Sequence, residues 1–258
     1  NPGTSEMHFV AALDSVPQMR SVLCLFEGVV TGAADGYGRV AGKPAATLLH
    51  LGPGLANGLA NLHNARRAST PLVNIVGDHA TYHLQYDAPL TSDIVGFARP
   101  VSSWIHESKN ADSVASDAAR AVQAARAAPG GVSTLILPAD TAWNEAQRAE
   151  QKLPDLLPTP VSLNAIDAAA RLLSNGKKTA LLLRGAALYG AGLEAAGRVQ
   201  AKTGARLLSD TFAPHAELGA GRVPVERIPY FAEQIVDFLK EIEQIILVGA
   251  KPPVSFFA

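Results

Sequence analysis

The stretch AATLLHLGPGLANGLANLHNARRASTPLVNIVGD, residues 45–78, contains two short apolar runs separated by a helical pattern. The runs at 45–49 and 72–77 are continuous and rich in Leu, Val and Ile, which is typical of strands buried on both faces of a parallel sheet. Residues 55–65 between them have the apolar spacing of a helix. A strand, a helix and a second strand in this order predict a parallel sheet covered by helices.

The same alternation extends on both sides of this stretch. It predicts an α/β fold whose parallel sheet has helices on both faces. The predicted strands lie at 21–26, 45–49, 72–77, 101–104 and 132–137, and the predicted helices at 28–41, 55–65 and 111–127.

A change of composition divides the chain. Residues 146–160 are charged and rich in proline, which predicts a linker between a first domain at 1–145 and a second domain at 161–258. The second domain again alternates helices with buried strands such as KTALLLRG, residues 178–185. We predict a partial Rossmann-like α/β domain there, because an open sheet is expected to continue after the last strand.

The composition argues against several kinds of partner. The 258 residues carry a formal net charge of −1, and no Lys/Arg cluster is interleaved with aromatic residues. We therefore expect no nucleic acid and no anionic membrane as partner, but a small molecule. No run reaches the roughly 20 apolar residues of a membrane span. The single cysteine, Cys24, can form no internal disulfide, which fits a reducing cytoplasm.

The segment SVLCLFEGVVTGAADGYGRV, residues 21–40, places one carboxylate at the start of a helix rich in Gly and Ala. Glu27 gains about 0.3 to 1 kcal/mol from the helix dipole there, which explains an acid without any function. Its apolar neighbours instead favour a carboxyl that exchanges a proton near neutral pH, and both interpretations remain. Gly28, Gly32 and Gly36 share a helix face and predict close contact with a helix of the same fold or of a second subunit.

The segment HLGPGLANG, residues 50–58, predicts a ligand-facing rim at the end of a strand. Asn57 replaces the third glycine of a dinucleotide-binding fingerprint and Pro53 lies inside the predicted turn, so a nicotinamide cofactor is not indicated. A histidine, a glycine turn and a helix start still bring backbone amides and one polar side chain to the place where a ligand can bind.

Four other histidines have weaker signals. His79 and His83 have the spacing of two zinc ligands on a helix, but they lack the intervening Glu and a third ligand. A metal site, ordinary loop histidines and a substrate-facing role all remain possible interpretations, and we assign no metal ligand. His63 and His106 are predicted to lie at the surface or to serve packing.

Taken together, several segments resemble the pyrimidine-binding domain of the thiamine diphosphate enzymes of the acetolactate synthase, pyruvate oxidase and benzoylformate decarboxylase group. They cover most of residues 1–145 in order, and residues 161–258 are similar to the start of the family's central domain. The segments are NPGTSE, FEGVVTGAADGYGRVAGKPA, GPGLANGLANLHNARRASTPLVNIVGD, DIVGFARPVSSW and GGVSTLILPAD.

The resemblance implies roles for the rim residues. In the family, the acid before the Gly/Ala helix contacts a ring nitrogen of the cofactor's aminopyrimidine, and Glu27 matches that acid. The cofactor-binding assignment extends to Gly52, Pro53 and Asn57. His50 matches a histidine of benzoylformate decarboxylase-like members and would relay protons.

His79 and His83 resemble the histidine pair of pyruvate decarboxylase-like members. The two histidines are adjacent in those proteins, whereas here they are four residues apart. The resemblance therefore implies only a substrate-side role for them.

The resemblance also implies cofactors and partners. The family holds thiamine diphosphate through Mg²⁺ on a Gly-Asp-Gly motif that this sequence lacks, so we expect the C-terminal diphosphate-binding domain and the Mg²⁺ ligands outside this chain, together with the first helix and strand. No strong flavin signature occurs, so FAD is not expected. Family active sites lie between subunits, which implies a homodimer or a dimer of dimers with the glycine face of the helix as a contact.

We therefore expect the N-terminal part of a thiamine diphosphate-dependent enzyme that acts on a 2-oxo acid. It is acetolactate synthase-like by overall resemblance, with a benzoylformate decarboxylase-like histidine at His50. The alternative is a non-catalytic dimerising fragment or a regulatory binding module of this fold.

Overall fold

The chain divides into two compact units, residues 1–158 and 159–258. The computed structural model describes residues 1–147 and 152–257. Each unit is built on a parallel four-stranded sheet.

The predicted linker at 146–160 lies partly outside the described residues, which omit 148–151. A described part of it contacts the first unit, since the side-chain amide of Gln123 donates to the carbonyl oxygen of Pro154 over 2.7 Å. The proposed domain boundaries remain a prediction.

The first unit alternates helices and strands in the way the sequence predicts. The helices are α1 (Met7–Leu13), α2 (Glu27–Ala41), α3 (Leu51–Ala68), α4 (Ile94–Ala98), α5 (Ala111–Arg126) and α6 (Ala139–Trp143), and the strands are β1 (Ala45–Leu49), β2 (Leu72–Asp78), β3 (Trp104–Glu107) and β4 (Val132–Pro138).

The sheet of the first unit has the strand order β1-β2-β4-β3, and all pairings are parallel. On one face, Leu55 and Leu62 of α3 pack in the same buried cluster as Val76 of β2. On the other face, Ala121 of α5 packs with Leu135 of β4. Helices therefore cover both faces, and the predicted fold class is confirmed.

A chain of hydrogen-bonded polar side chains crosses this sheet inside its apolar core. Thr47 on β1 donates to the Asn74 side-chain oxygen over 2.8 Å, and the Asn74 amide donates to the Thr134 hydroxyl over 3.1 Å. The Thr134 hydroxyl lies 2.7 Å from that of Ser102, just before β3. Asn74 is fully buried, so these bonds satisfy an amide that has no access to water.

The second unit repeats the architecture with the strand order β7-β6-β5-β8. Leu181 and Leu207 on one face of its sheet pack with α8, and Leu182 and Leu208 on the other face pack with α9. Its elements are α7 (Leu163–Leu173), β5 (Thr179–Leu183), α8 (Gly190–Thr203), β6 (Arg206–Ser209), β7 (Glu226–Arg227), α9 (Ala232–Leu239) and β8 (Gln244–Val248).

Two strand predictions are corrected. Residues 21–26 form no strand, and Leu25 in this run is 92% exposed, because no neighbouring strand in the described chain pairs with it. The predicted strand at 101–104 is displaced to β3, Trp104–Glu107. β3 is an edge strand and is only half-buried, so it can include the polar residues His106 and Glu107. Because of these two residues, the strand is not a continuous apolar run and was not recognised as one.

Within the described residues, we find no helix that combines the length and the apolar character needed to cross a membrane.

Candidate functional site

Glu27 lies at the amino-terminal end of α2, where a helix favours a negative charge. Its side chain is partly exposed, and Oε2 accepts a hydrogen bond from the Asn57 side-chain amide over 3.1 Å. Asn57 is on α3, so the carboxylate is held between the first turns of two helices. The structure thus brings together two of the residues that the sequence predicted for the site.

The contact between α2 and α3 fixes the position of this carboxylate. Thr31 on α2 donates to the Gly58 carbonyl oxygen over 3.1 Å, and Asn61 on α3 donates to the Gly28 carbonyl oxygen over 2.7 Å. A Cβ at Gly32 would lie 3.0 Å from the Asn61 amide nitrogen. Part of the glycine face therefore packs against a helix of the same unit, the first of the two arrangements that the sequence allowed.

His50 directly precedes α3, and the first residue of this helix has an unusual conformation. Leu51 is fully buried and has φ = 54°, in the left-handed region that leucine rarely adopts. Gly52 and Gly54 lie inside the first turn of the helix. The predicted glycine turn is therefore wrong: the sharp change of direction occurs at Leu51, and strain of this kind is often found at functional sites.

The His50 ring is paired with a buried acid that the sequence analysis did not single out. Nδ1 of His50 lies 2.8 Å from Oε2 of Glu6, and the same oxygen accepts the Gly3 backbone N–H over 2.7 Å. Glu6 is 1% exposed, and its other oxygen, Oε1, has no hydrogen-bond partner within residues 1–147 and 152–257. The only sequence signal for this acid was its place in the NPGTSE segment, 44 residues before His50.

Glu27 and His50 converge on the start of α3. A Cβ at Gly54 would lie 3.6 Å from Oε1 of Glu27 and 3.5 Å from Cβ of His50. Gly54 is buried and has no side chain at this point, where the Glu27 carboxylate approaches the residue that carries the His50 ring. The approach of the Glu27 carboxylate to the backbone that carries His50 is the central feature of the candidate site.

The other predicted cofactor-side residues differ in their surroundings. Pro53 and Asn57 are exposed on the first two turns of α3. Gly52 is buried, and a Cβ there would fall on the Ser92 side chain and within 3.5 Å of the Phe97 ring. Because Gly52 has no side chain, the segment that contains Ser92 can pack closely against it. The structure therefore gives Gly52 a packing role.

The two substrate-side candidates, His79 and His83, follow β2 in the chain. Their ring centroids are 5.7 Å apart, and Nε2 of His79 is within hydrogen-bond distance, 3.1 Å, of the Pro89 carbonyl oxygen. Among the contacts of the described residues, none joins them to Glu27 or His50. No group of three His, Cys, Asp or Glu side chains suited to a metal ion occurs in the described parts of the chain.

The preceding residue, Asp78, has a perturbed carboxyl. Burial raises its pKa above the ordinary value, and the hydrogen bond from the His79 backbone N–H opposes this effect only in part.

The Glu6–His50 pair can handle a proton at a defined atom. An ionised carboxylate only accepts hydrogen bonds, so in the pair of an ionised Glu6 with His50 the donor is Nδ1 of the ring. In the neutral ring, Nε2 then carries a free lone pair and can take up a proton. The His50 side chain is 23% exposed, whereas that of Glu6 is shielded from water.

Comparison with known proteins identifies a family for the first part of the chain. Residues 1–99 match the family described as thiamine pyrophosphate enzyme, N-terminal TPP binding domain. A putative acetolactate synthase large subunit, IlvX, of Mycobacterium tuberculosis is 53% identical over 259 residues, which cover 100% of this chain and 50% of the relative. A benzoylformate decarboxylase of Pseudomonas aeruginosa is 33% identical over 179 residues, 69% of this chain and 33% of the relative.

The fold is also found in a solved structure. A thiamine diphosphate-dependent 4-hydroxybenzoylformate decarboxylase of Rhodococcus jostii RHA1 superposes with a TM-score of 0.81 at 22% identity, covering 99% of this chain and 50% of the other. The chain thus spans about half the length of the first of the curated relatives and of this structure. Residues 1–99 of this chain thus match the N-terminal TPP binding domain of the thiamine pyrophosphate enzyme family.

Proposed function

We propose that this chain supplies the aminopyrimidine-binding side of the active site in a thiamine diphosphate-dependent decarboxylase or carboligase that acts on a 2-oxo acid. The observation that carries the proposal is that Oε1 of Glu27 and Cβ of His50 both lie within 3.6 Å of the position that a Cβ of Gly54 would take. One side chain can hold a proton for a ring nitrogen, and the other can transfer a proton to or from a substrate.

The residues present fit the cofactor. Glu27 offers a partly exposed carboxylate whose position is fixed by Asn57, and a protonated ring nitrogen needs such an acceptor. Gly54 has no side chain at the point where a Cβ would approach both Glu27 and His50. Pro53 and Asn57 present exposed surface next to it. When bound, thiamine diphosphate supplies the electron sink that allows a 2-oxo acid to lose carbon dioxide.

The chain's own residues then have separate tasks. Glu27 binds the ring nitrogen and exchanges a proton with it. His50 takes up or releases a proton at Nε2, and Glu6 holds the ring in the tautomer and orientation that this requires. We assign His79 and His83 only a substrate-side position. The Mg²⁺ that accompanies the diphosphate has no proposed ligand in this chain.

The names of the relatives support a 2-oxo acid as substrate. An acetolactate synthase and a benzoylformate decarboxylase are both named for chemistry on such acids. His50 favours a decarboxylase-like site, because it provides the proton carrier that release of an aldehyde needs.

The proposal is tested by Glu27→Gln in the longest natural protein that contains this chain. The amide cannot exchange the required proton, so we expect turnover of 2-oxo acids to fall by at least about 100-fold with an unchanged unfolding midpoint. Glu145→Gln, a matched change at an exposed position of the same unit, should leave turnover unchanged. Near-normal turnover of Glu27→Gln would remove the assignment.

The alternative, a non-catalytic binding module, predicts a different outcome for the same protein. Thiamine diphosphate with Mg²⁺ would then give no heat of binding in a calorimetric titration, and no 2-oxo acid would be consumed.

We further propose that a second copy of the chain covers the exposed face of α2. Along this helix the exposed side is made only of apolar residues and glycine, although an unpartnered helix normally turns charged residues to water. Val40 on this face is 83% exposed. Symmetric pairing of identical faces is the commonest way to bury such a surface. The face consists of Val29, Ala33, Gly36, Tyr37 and Val40.

A charge on this face should separate the subunits. We expect Val40→Asp to reduce the mass measured by light scattering, whereas Val122→Asp, on the partly exposed α5, should not. An unchanged mass for Val40→Asp would exclude this face as the contact.

A further inference from the structure

Gly77 lies near the end of β2 and directly faces the Glu6 side chain. A Cβ at Gly77 would lie 2.8 Å from Cγ of Glu6, and closer still to Cδ and Oε1. Real Cβ atoms are not found at such separations, so any side chain here must displace something. Gly77 does not have a positive φ, and its backbone conformation is therefore open to any residue. The position requires glycine for space and not for conformation.

The displaced group would be Glu6 and not the strand. β2 is paired on both sides, with β1 through Val76 and Leu49 and with β4 through Gly77 and Leu137. A shift of this strand would break two ladders of backbone hydrogen bonds, whereas the Glu6 side chain has rotatable bonds. Its Oε1, the atom nearest to Gly77, has no hydrogen-bond partner to hold it in the part of the chain that the structure describes.

A second glycine confines the pair from the other side. A Cβ at Gly3 would lie 2.5 Å from Cγ of the His50 ring. Glu6 and His50 therefore lie between two positions without side chains. Oε2 of Glu6 reaches His50 only because Oε1 occupies the space that Gly77 leaves free.

We propose that Gly77 is a positioning residue for His50 and acts through Glu6. Its missing side chain lets the Glu6 carboxylate lie flat against β2, and this sets the 2.8 Å contact with Nδ1 of His50. Any consequence for catalysis rests on the function proposed above, but the placement of the ring does not.

The test is a cycle of Gly77→Ala, Glu6→Ala and the double variant in the natural protein, labelled with ¹⁵N-histidine. We expect Gly77→Ala to move the His50 ring nitrogen signals away from those of a ring whose Nδ1 donates to a carboxylate, and to lower the unfolding midpoint by several degrees. In the Glu6→Ala background the colliding atoms are gone, so adding Gly77→Ala should change neither the ring signals nor the midpoint.

Gly38→Ala is the matched control. Its Cβ would lie 2.9 Å from the Pro71 carbonyl oxygen, so it introduces a comparable clash in the same unit without touching Glu6. It should lower the midpoint and leave the His50 signals in place. The His50 signals do not depend on turnover. The inference about Gly77 can therefore fail while the proposed function stands, and the proposed function can fail while the inference stands.

Two results would overturn the inference. One is a Gly77→Ala protein with unchanged His50 signals. The other is an equal loss of stability from Gly77→Ala with and without the Glu6 side chain. If Gly77→Ala alone does not fold, the double variant must fold for the inference to survive.

Discussion

The first unit contains two buried acids paired with histidines, Glu6 with His50 and Asp117 with His106. Each acid is 1% exposed, and each histidine is partly exposed, at 23% and 32%. The contact distances are also close, 2.8 Å for Glu6 with His50 and 3.1 Å for Asp117 with His106. Composition and burial alone do not distinguish the two pairs.

The partners of the acids do distinguish them. Asp117 accepts a hydrogen bond from the buried Ser108 hydroxyl over 3.0 Å, and it also pairs with Arg120 and His106. Burial by itself would raise the pKa of the Asp117 carboxyl, but hydrogen bonds from Arg120, Ser113 and Ser108 outweigh it and leave the pKa below its ordinary value. Both oxygens are satisfied, and the cluster ties the end of β3 to α5.

Glu6 has only part of this support. Among the described residues its Oε1 has no partner, and the His50 ring on the other oxygen is partly exposed. A fully satisfied network is rigid and contributes stability, whereas a partly satisfied and partly exposed pair is free to exchange partners. We propose that the number of partners separates a structural pair from a functional one.

The largest difference between the two pairs is expected in the turnover of variants in which each histidine is replaced. We expect His50→Ala to lower turnover of a 2-oxo acid by about 1,000-fold, or ~4 kcal/mol in the barrier, because it removes the proton carrier. His106→Ala should change turnover by less than about twofold, a difference too small to reflect a lost proton carrier. Steady-state kinetics of both variants, with cofactor affinity measured alongside, decides the question. Equal losses of turnover and of cofactor binding in His50→Ala would make His50 structural.

The next test replaces each acid and measures stability. Asp117→Asn should cost about 3 kcal/mol of unfolding free energy in urea, because it removes the charge of a buried acid that pairs with the partly exposed Arg120 and His106. Glu6→Gln should cost about 1 kcal/mol or less. A depressed carboxyl pKa contributes stability above the unfolded value of 3.8 and loses it as the pH falls further, so the Asp117→Asn deficit should persist to about pH 4 and shrink below it. A deficit independent of pH would contradict this account.

Much of the fold was predictable from local pattern. β1 was predicted at its observed bounds and α2 within one residue, because continuous apolar runs and helical spacing are properties of neighbouring residues. The strand at 21–26 was wrongly predicted because the same local apolar pattern occurs there. Apolar character predicts that a segment is covered, but it does not say whether a strand or another surface covers it.

The site was predictable only where one residue carried the signal. Glu27 and His50 could be found at the ends of predicted elements, and the resemblance gave them roles. Glu6 could not be found in this way, because its burial depends on contacts with His50 and Gly77, which lie far along the chain. The left-handed turn at Leu51 was also hidden, since the adjacent glycines offered a more usual place for it.

The row of hydrogen-bonded polar side chains across the first sheet affects the alignment of its strands. Strands that are buried on both faces, like β2 and β4, carry apolar residues on both sides, so hydrophobic burial hardly distinguishes one alignment from another. Asn74 does distinguish them, because Thr47 and Thr134 lie directly opposite it. A shift of two residues would put Asn74 opposite residues such as Leu49 or Ile136 and leave its amide unsatisfied, at a cost of about 1–3 kcal/mol for each group. The buried amide of Asn74 therefore makes misaligned pairings of these strands less stable, although their apolar residues would be buried equally well in them.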